Sequence, residues 1–232
     1  MTAGLSVDSL VRRRGGFALG PLSLHLEPGR SMGLLGANGA GKTTLLAGIA
    51  GQGRLNGGTA TWNTRSIVRG DWRLREQIAF VRDVPALYGE LTVRQTLSFV
   101  GNVYRTWQPT RATAMLDLLR LDAAQSVSTL SRGMRAKLAL LLAVSHDVEL
   151  LLLDEVTAGV DADTRAEIQR LIRTLGRERR VAAILSSHIF EDVEHACDDV
   201  LILRAGQAVF HGPLDRQRVP SLRDLYFSHG GQ

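Results

Sequence analysis

Residues 36–43 read GANGAGKT, in which Gly36 and Gly41 bracket four positions and are followed by Lys42 and Thr43. That spacing is the pattern of a phosphate-cradling loop. Glycines let the backbone turn its N–H groups inward onto anionic oxygens, a lysine reaches the β- and γ-phosphates, and a threonine hydroxyl binds magnesium. Gly36, Asn38, Gly39, Gly41, Lys42, Thr43 and Thr44 are therefore candidate nucleotide-binding residues. A second group stands in LLLLDE, residues 150–155, where Asp154 and Glu155 follow four leucines. Such a pair can divide its work: Asp154 holds magnesium through water, and Glu155 orients and deprotonates an attacking water. His188, in SSH, is a third candidate, just past the apolar run VAAILSS. The fourth is STLSRGMRAKLALLLA, residues 128–143, where Ser131, Arg132 and Gly133 open a helix. A capped core helix would explain that stretch, and so would an anion site facing the first N–H groups and partial positive charge of the helix.

These groups need elements to hold them. SMGLLG (31–36), VELLLLDE (148–155), VAAILSS (181–187) and DVLILRAGQAVFHG (199–212) read as strand segments, with helices between them, so the pattern predicts an α/β core. The phosphate loop falls between a strand and the helical run TTLLAGIA, the context its chemistry requires. LLLLDE reads as a strand buried on both faces, with its carboxylates at the carboxyl end where α/β sheets bind ligands. Ile168, Leu171, Ile172 and Leu175 recur at helical spacing within 161–180, and Gly176 suits a C-terminal cap. Between 84 and 147 the character changes to helical. Thr92 and Gln95 form a capping box ahead of Leu97, Val100 and Tyr104, and a further helix carries Met115, Leu116 and Leu119.

Composition narrows the function classes. The chain of 232 residues is 44% hydrophobic and 22% charged, which suits a soluble globular domain. Its longest apolar runs, such as LALLLAV, fall far short of the roughly 18 to 20 residues of a membrane span. MTAGLSVDSLVRRRGG has no signal-peptide pattern, and Cys197 alone excludes an internal disulfide or cysteine-based metal cluster; both predict a cytosolic setting. The net charge of +5 is modest and scattered, so no nucleic-acid partner is expected.

Taken together, GPLSLHLEPGRSMGLLGANGAGKTT, LSRGM, LLLLDEVTAGVD and SSH resemble the ATP-binding subunits of ABC transporters over nearly the whole chain. LYGELTVRQTLSFVGNVY and the ending SLRDLYF are similar to the drug- and polymer-exporter ATPases often called ABC-2 type. The resemblance implies one ABC ATPase domain over 1–232: a P-loop NTPase (RecA-like) α/β core with an antiparallel β subdomain. A helical subdomain, about 84–147, is inserted between the phosphate loop and the signature motif. Leu130 to Met134 fall on the family's signature LSGGQ, so Ser131 and Gly133 are implied to contact ATP held by a second subunit in a head-to-tail dimer. Asp161 matches the loop that communicates across that dimer. The resemblance implies ATP and Mg2+ as ligands and a separate transmembrane permease docking near Asp83 to Tyr104. It also implies a position on the cytoplasmic face of the membrane.

Several positions depart from the family pattern. Arg132 and Met134 replace Gly and Gln in the signature, and Val156 replaces the proline after the catalytic glutamate. Asp83 stands where a glutamine reaches toward the metal and could itself accept a metal contact. Arg14 falls at the adenine-stacking place, with Phe17 a second candidate. Two rival readings are a soluble ABC-type ATPase without a membrane partner and a nucleotide-binding regulator that does not hydrolyse ATP.

Overall fold

In the computed structural model, which describes residues 3–68, 72–83, 85–214 and 221–228, the chain opens with β1 (Leu5–Arg14) and β2 (Phe17–Leu26). There follow β3 (Ser31–Leu35), α1 (Lys42–Ile49), β4 (Gly57–Trp62), β5 (Arg65–Ser66), α2 (Trp72–Glu76) and β6 (Ile78–Arg82). A helical stretch comes next: α3 (Val93–Gly101), α4 (Pro109–Leu118) and α5 (Arg132–Val144). The remainder alternates: β7 (Leu150–Asp154), α6 (Ala162–Arg179), β8 (Ala182–Ser186), α7 (Phe190–Ala196), the hairpin of β9 (Asp199–Arg204) and β10 (Gln207–Pro213), and α8 (Leu222–Ser228).

Two sheets result. An antiparallel sheet in the order β2-β1-β4-β5 covers one side of a larger sheet in the order β10-β9-β3-β8-β7-β6. In the larger sheet β9, β3, β8, β7 and β6 pair in parallel, and only β10 joins antiparallel. All five residues of each of β3, β7 and β8 are buried. Their alternate side chains enter two different cores: Leu150 and Leu152 pack with β1, β2 and α1, and Leu151 and Leu153 pack with α5, α6 and α7. A sheet covered on both faces requires this, and so the strand reads as unbroken leucine rather than as alternation.

Local chemistry sets the helix ends. Thr92 Oγ1 accepts from the Gln95 N–H while Gln95 returns a bond to the Thr92 N–H, so the predicted capping box is formed. Two sequence expectations differ from the fold. Gly176 does not end α6: the helix runs on to Arg179 and closes with Arg180 in the left-handed region. Gly176 is instead where α6 meets the β2–β3 turn, because a Cβ there would lie 2.7 Å from the Gly29 carbonyl oxygen. Tyr104 lies past the end of α3 and stacks on His146 with ring centroids 4.1 Å apart. The first residue of the predicted 84–147 segment lies outside the described residues.

Candidate functional site

The buried strand β3 delivers Gly36 to the carboxyl edge of the larger sheet, and the loop then climbs into α1 at Lys42. Gly41, the residue before the helix, has φ 108, and a Cβ on it would meet Phe17 Cζ and Leu19 Cδ1 at 3.0 Å. Both the backbone angle and the close approach demand glycine there. The loop forms one wall of a cleft of about 870 Å³, lined also by Arg14, Phe17, Thr43, Thr44, Asp83, Glu155 and His188. Lys42 is 6% exposed. Its Nζ donates to the Gly36 carbonyl at 2.7 Å and lies 3.2 Å from Glu155 Oε1.

Ser186, the last residue of β8, and His188, two positions on, organise the carboxylates. Ser186 Oγ donates to Asp154 Oδ1 at 2.8 Å and accepts from the Glu155 N–H at 3.0 Å. Those bonds hold Glu155 at φ 54, a left-handed backbone that costs a non-glycine residue about 1 kcal/mol or more. His188 Nδ1 stands 2.7 Å from Glu155 Oε2. The glutamate is thus bracketed, an ammonium on one oxygen and an imidazole on the other. Asp154, 5% exposed, is not among the residues that line the cleft, although the adjacent Glu155 is.

A sequence profile of the ABC transporter family matches residues 19–158, more than half of the chain. The chain belongs to the ABC transporter family. It carries that family's ATP-binding, ATP-hydrolysing cassette. Among relatives, it is 31% identical over 204 residues to the ABC transporter ATP-binding protein NatA of Bacillus subtilis, covering 85% of this chain and 82% of NatA. It is 35% identical to the sulfate/thiosulfate import protein CysA of Bordetella parapertussis, covering 88% of this chain but only 60% of CysA. With the linearmycin resistance ATP-binding protein LnrL of Bacillus subtilis it shares 33% identity over 82% of this chain and 63% of LnrL. A solved ATP-binding subunit of an ABC transporter superposes with a TM-score of 0.88 at 27% identity, covering 98% of this chain and 99% of that one. A dimeric bacterial ABC cassette, 20% identical and with a TM-score of 0.80 over 91% of this chain and 99% of that one, shares the fold.

The remaining candidate residues of the cassette do not line the cleft. Ser131 caps α5 by accepting from the Met134 N–H at 3.2 Å, and its side is open to solvent. Gly133 is buried against the start of α6, where a Cβ would lie 3.3 Å from Thr164 Cγ2. Asp161 caps α6 through the Thr164 N–H at 2.9 Å; this bond, with the Thr164 hydroxyl, holds its carboxyl below the usual range. Arg132 extends over Gly159 and donates to Asp83 Oδ1 at 2.5 Å, so the two departures from the family pattern pair with each other. Three aromatic residues at the cleft, Phe190, Tyr226 and Phe227, escaped the sequence reading; Phe190 sits two positions beyond His188, and the other two belong to α8.

Proposed function

We propose that this ABC ATPase binds Mg2+ and ATP in the cleft beside α1 and hydrolyses ATP with Glu155 as base. The convergence of Lys42, Glu155 and His188 on one cleft wall is the observation that carries this reading. Lys42 exchanges one anionic partner for another: it leaves Glu155 for the β- and γ-phosphates, and the freed carboxylate takes a proton from the attacking water. The water oxygen bonds the γ-phosphorus as the bond to the bridging oxygen of ADP breaks, and His188 steadies the γ-phosphoryl oxygens. Arg14 or Phe17, both on the cleft wall, would face the adenine. Magnesium supplies charge neutralisation on the phosphate oxygens; Thr43, Asp154 through water, and Asp83 would hold it. An all-oxygen donor set of this kind suits a hard cation.

Ser131 and Gly133 open α5 away from this chain's own cleft, which supports a head-to-tail dimer in which they serve the ATP of a second copy. No helix among the described residues is long and apolar enough to cross a membrane. We infer a separate permease subunit that carries the pathway, with the cassette at its cytoplasmic face; a similar solved cassette, cbiO1 of Clostridium perfringens, is part of the transporter complex cbiONQ. The exposed rings of Tyr88 and Phe99, 5.6 Å apart edge to face, and exposed Val103 support docking on α3 and its approach. Export is the direction we infer, from the exporter-like segments around Tyr88–Tyr104 and from LnrL, although CysA serves import. Phosphate release by the purified chain, with and without its permease, tests the reading. Wild type is expected to turn over and Lys42→Ala to lose about 100-fold or more; equal rates in the two would refute it.

A further inference from the structure

Asp192, in the first turn of α7, is a carboxylate with 0% exposure, and no step described so far uses it. Burying a charge is costly unless it is fully partnered, so its partners are informative. Oδ2 accepts from Thr157 Oγ1 at 2.6 Å and from Ser187 Oγ at 2.8 Å. Oδ1 accepts from Gln169 Nε2 at 2.9 Å, and Arg165 Nε lies 3.6 Å away. Thr157, Ser187 and Gln169 are themselves buried. These donors come from three separate elements. Thr157 is two residues past Glu155, in the turn that leads to α6. Ser187 immediately precedes His188, and Gln169 lies on α6.

We propose that Asp192 is a positioning residue for ATP hydrolysis: it ties the loop carrying Glu155 to the loop carrying His188 and anchors both on α6. The geometry of the tie is specific. Ser187 Oγ donates to Asp192 and accepts from the Ile189 N–H at 3.0 Å, so the backbone on both sides of His188 is fixed. Glu155 is fixed from one side by Ser186 and from the other by Thr157 through Asp192. The 2.7 Å approach of His188 to Glu155 therefore spans two loops that meet again behind it at one buried carboxylate. An apolar side chain at 192 would leave the Thr157, Ser187 and Gln169 donors buried without an acceptor and Arg165 without its counter-charge, at a cost in stability. It would also lose the register between the two loops, where a shift of about 1 Å can cost on the order of 100-fold in rate.

This inference rests on the reading that Glu155 and His188 act in hydrolysis, and the test separates the two. Thr157→Val keeps shape and removes one donor; Thr157→Ser keeps the donor and removes a methyl; Ser187→Ala removes the second donor. Each is assayed for kcat, for KM and for binding of a fluorescent ATP analogue, well below its own unfolding midpoint, beside Glu155→Gln. Expected are kcat losses of about 10-fold in Thr157→Val and Ser187→Ala with KM and analogue affinity nearly unchanged, and near-normal kcat in Thr157→Ser. A role in packing alone would reverse the order at 157, favouring Val over Ser. The proposal is overturned if Thr157→Val turns over as fast as Thr157→Ser, or if Ser187→Ala keeps wild-type kcat. Normal turnover in Glu155→Gln would instead remove the underlying reading.

Discussion

The Glu155 carboxylate holds Lys42 and His188 on its two oxygens, so the proposed chemistry would begin with a competition between phosphate and carboxylate for one buried ammonium. The neighbouring competition is between Asp83 and Arg132. Both side chains are about half exposed, so their ion pair contributes about 0–1 kcal/mol to stability and its loss leaves the unfolding midpoint almost unmoved. Its consequence is electrostatic: Arg132 offsets a negative charge on the wall of a cleft that takes a polyanion. Arg132→Gly is expected to raise the KM for ATP a few-fold at low salt, with the effect shrinking at high salt and disappearing when Asp83→Asn is added. Titrations at two ionic strengths check this, and an effect that survives Asp83→Asn would point to direct contact with nucleotide. Asp154, Glu155 and His188 are legible in the sequence because each stands at or just past the end of a buried strand, and Lys42 because the spaced glycines of the phosphate loop precede it. Ser186 and Asp192 are not, since Asp154 and Glu155 lie 32 and 31 residues from Ser186, and Thr157 and Gln169 lie 35 and 23 residues from Asp192, so they meet only in the folded chain.

Among the elements, the apolar strands β3, β7 and β8 are plain in the sequence because burial on both faces writes a continuous run. β1 is hidden: register shifts between Val7 and Leu10 and between Leu10 and Arg12 break the alternation that would reveal it. DVLILRAGQAVFHG is a hairpin turning at Ala205–Gly206, both with positive φ. In α6, helix propensity argues that Gly176→Ala should stabilise, yet the new methyl would press on the Gly29 carbonyl. We expect a loss of about 1–3 kcal/mol in denaturant unfolding, since a backbone atom cannot swing aside. The connection after α5 carries a pH dependence. Burial without a partner for either ring nitrogen lowers the His146 pKa to about 4 from 6.5, against an opposing pull from Glu76. The unfolded chain therefore binds the proton first. Stability is full above about pH 6.5 and falls as pH drops toward 4, by on the order of 3 kcal/mol. His146→Phe, which keeps a ring against Tyr104, is expected to flatten that part of the stability profile in urea melts from pH 7.5 to 4.5.

At the scale of the whole molecule, one sheet separates two cores. The core on the side of β1, β2 and α1 steadies the phosphate loop, and the core on the side of α5, α6 and α7 steadies the signature helix and the loop of His188. The cleft and the amino end of α5 belong to the same chain but do not meet within it, so in the proposed dimer each chain would supply half of two ATP sites. Hydrolysis would remove the phosphate bridge between the copies and let them part. Glu155→Gln isolates that claim, because it leaves Lys42 and the phosphate loop intact while removing the base. Sedimentation of Glu155→Gln with and without Mg2+ and ATP, alongside a phosphate-release assay, is the direct measurement. Little turnover is expected, with an ATP-dependent species of twice the chain's mass that is abolished by adding Ser131→Arg. A variant that stays monomeric with ATP bound, or that hydrolyses ATP at the wild-type rate, would contradict that claim.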